Sequence, residues 1–225
     1  MGQRSFDLNV RGTEGPDNIF VTQVGQQIEV RVNGALDGVY NLENVDLVEI
    51  FGLGGNDTIE VNAPVRTFIS GGFGADEISG GRLENEIQRG PGPDTIFGGP
   101  MADIINGGFG TDSINALGGD DIVIGGSADD FLMGGGGNDT IRGSLGADVI
   151  FGGPGDDVLY GNAGADSIFG GGGDDSLIGQ GGPDDLDGGP GMDDLTGGEG
   201  FGMLDGGSGI DTAVDQGEVE VGIEN

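Results

Sequence analysis

Between Gly71 and Val214 the chain repeats every nine residues, sixteen times, with no insertion or deletion. Gly134–Arg142 reads GGGGNDTIR and Gly152–Tyr160 reads GGPGDDVLY. The common pattern is G-G-x-G-x-D-x-U-x, with U aliphatic. Its sixth place is Asp in fourteen units, Asn85 and Gly202 being the exceptions. Its eighth is Ile, Leu or Val in fifteen, and Ala213 is the exception. A disordered acidic linker would have no reason to set an aliphatic residue two places after each Asp, unit after unit. The repeat therefore specifies a stacked structure in which each unit lies against its neighbours in the same way.

The chemistry of one unit follows from its residue types. Glycine tolerates positive φ and carries no Cβ, so a glycine-rich turn can aim successive carbonyls inward. An Asp closing that turn adds negative charge, and a charged, oxygen-only donor set suits a hard divalent cation. The next three residues, x-U-x, alternate outward, inward, outward as in a short strand. Each nonapeptide thus reads as a half-coil: a six-residue turn and a three-residue strand. Two make a full coil with strands on opposite walls, and the aliphatic residues meet between the walls as the core.

The pattern resembles the RTX, or hemolysin-type, calcium-binding repeat over about two thirds of the chain. The resemblance implies an all-β fold, a right-handed parallel β-roll. It also implies that each calcium ion is shared by turns of adjacent coils, so that Asp residues eighteen apart hold one ion. One edge then carries Asp76, Asp94, Asp112, Asp130, Asp148, Asp166 and Asp184. The other carries Asp103, Asp121, Asp139, Asp157, Asp175, Asp193 and Asp211. Neighbouring pairs give twelve candidate sites. Two isolated matches, Gly12–Phe20 (GTEGPDNIF) and Gly52–Glu60 (GLGGNDTIE), add Asp17 and Asp57 to the first edge. The expected cofactor is Ca2+, about a dozen ions.

Some sites read as weak. Arg89 and Ala116 replace a first-position Gly, while Leu83, Met101 and Ala128 replace the fourth. Asn85 and Gly202 lose the carboxylate, and the array from Gly134 to Asp193 is the cleanest.

The flanks are less regular. Residues 1–70 are expected to form wider, irregular β coils that cap the roll, residues 71–214 the roll itself, and residues 215–225 a capping strand. Phe6–Val10, Gln27–Val32, Val39–Leu42 and Val45–Phe51 read as strands, and Asn33-Gly34 as a hairpin turn. The Asp17–Asp57 step is 40 residues and the Asp57–Asp76 step 19, against 18 afterwards. The apolar N-terminal coils are expected to keep some structure without metal. Val219, Val221 and Ile223 read as a last strand.

Charge and composition narrow the function. Net charge is −33, with seven Arg and no Lys, which disfavours nucleic acid and anionic membranes and attracts divalent cations. Twelve calcium ions would leave about −9, a tolerable surface charge. His, Cys, Lys and Trp are all absent, so the usual general base and the Cys and Lys nucleophiles are missing. In the doublets Asp120-Asp121, Asp156-Asp157 and Asp174-Asp175, one Asp reads as the sixth-position ligand and the other as an exposed fifth-position residue. The expectation is a protein that is not an enzyme. No stretch approaches the ~18 apolar residues of a membrane span, and the start, MGQRSFDLNV, has no apolar core of a signal peptide. The reading is a fragment of a longer exoprotein, extracellular, acting as a calcium-triggered folding and spacer unit. The alternative is an adhesion or carbohydrate-recognition module using an outward strand face. Phe97, Met133, Phe151 and Phe169 in ninth positions, with Phe131 and Val149 in seventh, are the stripe for docking another domain or a second copy.

Overall fold

The computed structural model describes residues 5–200, 202–214 and 220–224. The backbone winds into a β-solenoid of about nine turns. Past the N-terminal coils, successive strands mostly go to alternate walls. One wall has eleven strands and starts with Phe6–Arg11, Val45–Gly54, Arg66–Phe73 and Asn85–Gln88; it ends at Thr212–Val214. The other has fourteen and includes Asn18–Val24, Thr58–Asn62, Glu77–Ser79 and Thr95–Gly99. Among the described residues the only helical segment is the three-residue 3-10 turn Leu42–Asn44, so no helix is long and apolar enough to cross a membrane.

The register follows directly from the repeat length. Two nonapeptides return the chain to the same wall, so partners differ by eighteen. On one wall Ile96 pairs with Ile114, Ile114 with Leu132, Leu132 with Ile150, and Ile150 with Ile168. On the other, Ile105, Val123, Ile141, Leu159 and Leu177 form the matching row. These eighth-position side chains are 0 % exposed and form the core between the walls. Because the side-chain period of a strand is two, a slip of one residue would turn the whole row outward, so burial fixes the register.

Many strands are longer than three residues, although Glu77–Ser79 and Phe131–Met133 keep to three. Val149–Pro154 and Ser167–Gly172 run on through the first three places of the following unit. The repeat pattern alone places those residues in the turn. They join the ladder because glycine backbone there still pairs with the next coil, as at Gly153 with Gly171.

The N-terminal irregularity takes a definite form. Asn18–Val24, Gln27–Val32 and Ala35–Asn41 make an antiparallel meander at the end of the second wall, and this absorbs the 40-residue step. Asn33 and Gly34 carry it round with φ of 52° and 77°, as the hairpin signal predicted. Leu42, expected in a strand, begins the 3-10 turn instead. The 19-residue step reflects one extra residue in the unit between Asp57 and Thr67, where Ala63 and Val65 are buried. Phe6–Arg11 pairs in parallel with Val45–Gly54, and Asn18–Val24 with Thr58–Asn62, so these coils share both walls with the array. At the other end Glu220–Glu224 pairs with Met203–Gly209. Val219 lies outside the described residues.

Candidate metal centres

The sixth-position Asp residues stand at the two edges where the walls meet. They sort into the two expected sets. On the first edge the backbone N–H of Asp76 donates to Asp94 Oδ1 at 2.7 Å, Asp94 to Asp112 at 2.8 Å, Asp112 to Asp130 at 2.8 Å, and Asp130 to Asp148 at 2.8 Å. Asp148, Asp166 and Asp184 continue the ladder, and Asp17 and Asp57 extend it backward. On the second edge Asp103, Asp121, Asp139, Asp157, Asp175, Asp193 and Asp211 are joined in the same way. Each carboxylate therefore uses one oxygen to bind the preceding coil.

The other oxygen is the informative one. Oδ2 of every Asp in these ladders except Asp17 is buried and has no hydrogen-bond partner among the described residues. All but Asp211 are at most 3 % exposed. A buried carboxylate oxygen without a donor is costly. Neighbouring carboxylates one strand spacing apart, ~4.8 Å, repel by roughly 3 kcal/mol at an effective dielectric of 20. A few such pairs exceed the roughly 5–15 kcal/mol by which a whole domain is stable. A cation or protons must therefore balance the ladder.

Glycine keeps room for the cation. The first-position Gly has no special backbone angle at Gly143, Gly152 or Gly161. A Cβ there would run into Oδ2 of the unit's own Asp, at Asp148, Asp157 and Asp166 respectively. The fourth-position Gly has a different reason: Gly155, at φ 138°, also lies against the carbonyl of Gly137 in the coil below. Among the described residues no three acidic or imidazole side chains converge. A hard cation would thus be held by paired Asp Oδ2 atoms with turn carbonyls, which is a calcium-like donor set.

The electrostatics agree. Burial pushes Asp121, Asp130 and Asp157 up to about 7, and facing carboxylates add to it against the backbone N–H that each accepts. Asp57, Asp103, Asp112, Asp148, Asp175 and Asp184 rise to about 6, again mainly through burial. Asp17 goes the other way. Burial opposes its charge, but the Thr13 backbone N–H, the Asn33 amide and the Thr13 hydroxyl together hold it below the ordinary value.

Several partners escaped the sequence reading. Thr13 and Asn33 satisfy Asp17. Thr67 is 2 % exposed and donates to Asn85 Oδ1 at 2.5 Å, standing where the preceding coil would have its Asp. Asn85 is not lost from its ladder: its backbone N–H still donates to Asp103 Oδ1 at 2.7 Å. The exposed fifth positions form an outer ladder of opposite sense. Asn138 N–H donates to Asp120, Asp156 N–H to Asn138, and Asp174 N–H to Asp156. The register of 18 was the signal that would have revealed Thr67 and the outer ladder.

No curated protein shows significant similarity to the chain. The family model of the RTX calcium-binding nonapeptide repeat matches residues 49–63, 68–83, 90–123, 97–132, 124–159, 142–177, 151–186 and 169–204, well over half of the chain. With two ladders of orphaned carboxylate oxygens at an eighteen-residue register, and that match across the same coils, the chain belongs to the RTX family of calcium-binding nonapeptide repeats.

Proposed function

We propose that this chain is a calcium-triggered folding and spacer module of a secreted protein, without catalysis of its own. The observation that carries the proposal is the row of buried Asp Oδ2 atoms that no protein donor satisfies. Each ion would lie between successive Asp residues of one edge, in total about a dozen. The ligands would be Asp57 and Asp76 to Asp184 on the first edge and Asp103 to Asp211 on the second, with Asp17 at the N-terminal limit. When bound, calcium supplies positive charge between the carboxylates, and its binding free energy becomes folding free energy.

The rest of the chain makes that dependence strong. Past residue 70 each nonapeptide contributes one core side chain, while glycine has the largest backbone entropy to lose. A chain of this kind is expected to be disordered wherever calcium is scarce and to fold at the millimolar, extracellular end of protein calcium sites. Residues 1–70 and the final strand would cap the two open ends, which otherwise present unpaired edges.

The test is a calcium titration of the full chain, followed by far-ultraviolet dichroism and by native mass spectrometry to count ions. A coil-like spectrum for most of the chain in chelator, turning to β with about a dozen bound ions, is the expected result. An array that is fully folded in chelator, with the same thermal midpoint after calcium is added, would refute it.

A further inference from the structure

Arg89 stands where fourteen of the sixteen units have glycine, and its side chain turns inward. It is fully buried, as is the Asp94 side chain beside it. One terminal nitrogen lies 3.1 Å from Asp94 Oδ1 and donates to the Asp76 carbonyl at 2.8 Å. The other donates to the Thr95 carbonyl at 2.6 Å. A Cβ placed on Gly71 would meet both Asp76 Oδ2 and, at 3.2 Å, Arg89 Cδ. The arginine stem therefore runs through the Asp76 turn, and its guanidinium lies beside the ladder residues Asp76 and Asp94, held by Asp94 Oδ1 and the Asp76 and Thr95 carbonyls. It thereby brings a fixed positive charge to the two carboxylates that would share a cation here, while their Oδ2 atoms stay without a donor.

The facing edge shows a neutral version of the same arrangement. Asn85 Nδ2 donates to Asp103 Oδ1 at 2.8 Å, to the Leu83 carbonyl at 2.9 Å and to the Gly81 carbonyl at 3.3 Å. At the start of the chain, Thr13 and Asn33 play the donor role for Asp17. Among the described residues, no side-chain donor reaches either ladder from Asp112 onward. Asp57 keeps an unpartnered Oδ2, as do Asp76 and Asp94, whose charge the guanidinium offsets by proximity. The same N-terminal stretch is rich in core. Leu8, Val10, Ile19, Val21, Ile28, Val30, Val48 and Ile50 are all buried there.

We propose that Arg89 is a resident cation that closes the Asp76–Asp94 junction in place of calcium. With Asn85, Asn33 and the apolar N-terminal coils it makes a metal-independent seed, onto which the calcium-dependent coils add. A guanidinium suits this role because its planar fork donates in several directions and stays charged when buried. The inference rests on the calcium reading above, and the two separate experimentally.

Arg89→Gly restores the glycine of the other units. In calcium it is expected to bind one more ion than the unaltered chain, counted by native mass spectrometry. In chelator, hydrogen exchange of the unaltered full chain should show protected amides up to about Asn106 and free exchange beyond. The variant should lose at least about tenfold of that protection in Glu77–Ser79 and Thr95–Gly99. An unchanged ion count overturns the proposal. Should Arg89→Gly fail to fold even in calcium, the converse variant decides. Gly143→Arg puts a guanidinium between Asp130 and Asp148 and is expected to cost one ion; an undiminished count overturns the proposal. An unaltered chain that takes up no calcium would instead refute the calcium reading itself.

Discussion

The ladder Asp residues carry two jobs on one side chain. Oδ1 ties each coil to the one before it, and Oδ2 faces the candidate ion site. Asp148→Asn keeps the first and removes the charge needed for the second. Because Asp148 lies between Asp130 and Asp166, calorimetry of this variant should show the loss of more than one ion; loss of none would argue against shared ligands. The raised carboxylates also fix a pH dependence. Asp121, Asp130 and Asp157 ionise near 3.8 when unfolded but near 7 in the metal-free fold. The metal-free fold therefore carries its full penalty above pH ~7 and sheds it as pH falls toward ~4. Dichroism in chelator should show more β structure at pH ~5 than at pH ~7.5, while acid should weaken calcium binding, since protons compete for the same oxygens. A chelator spectrum independent of pH would contradict this. At this scale the sequence was legible wherever a residue obeys the period: every predicted Asp joins its expected ladder. Thr13 and Asn33 were not legible, because each reaches Asp17 through a turn outside the eighteen-residue count; Thr67 keeps that count to Asn85, but it is not an Asp and lies outside the regular units.

At the scale of the element, period two and period nine together place every core side chain of the array. Ile96, Ile114 and Leu132 were expected inward and are 0 % exposed. Strand length was less legible, because glycine in the following places gives no side-chain signal for strand or turn. The meander was only half visible. Its Asn33-Gly34 turn was explicit, but the turn at Gly25, φ 64°, has no such dipeptide. The aromatic stripe does lie on one wall. Phe151 stacks on Phe169 at 4.7 Å, and Phe131 lies 5.6 Å from Phe151. Phe97 is separated from Met133 by Asn115 in the same row. If this wall docks a partner, the stacked pair is where it would do so, since aromatic faces combine large area with few rotatable bonds. If it joins two copies, sedimentation of a Phe151→Ser, Phe169→Ser chain in calcium should show monomer where the unaltered chain shows dimer. Identical monomers in both would remove the self-association reading.

For the whole molecule, the balance between ladder repulsion and bound cations sets the dimensions of the chain. In calcium, small-angle scattering should give a radius of gyration near the ~17 Å of a compact chain of 225 residues. In chelator it should be much larger, because the like-charged coils cannot stack, while the N-terminal coils keep it below the ~50 Å of a fully unfolded chain. Equal radii in both conditions would leave the charge argument without effect. The overall architecture was the most legible level, since one repeat unit applied sixteen times determines both walls.

The eighteen-residue return to the same wall also has a consequence for heredity. A gene slip that adds or removes eighteen codons inside the clean array would leave every surviving side chain on its own wall and edge. A slip of nine codons would be almost as harmless to the interior, because neighbouring units are nearly interchangeable there. It would not be harmless outside. Everything downstream would change walls, splitting both the Phe131–Phe151–Phe169 row and the Asp120–Asn138–Asp156–Asp174 row between opposite sides. Natural variation in the length of such arrays should therefore come in steps of two units where an outer face matters, and in single units where it does not.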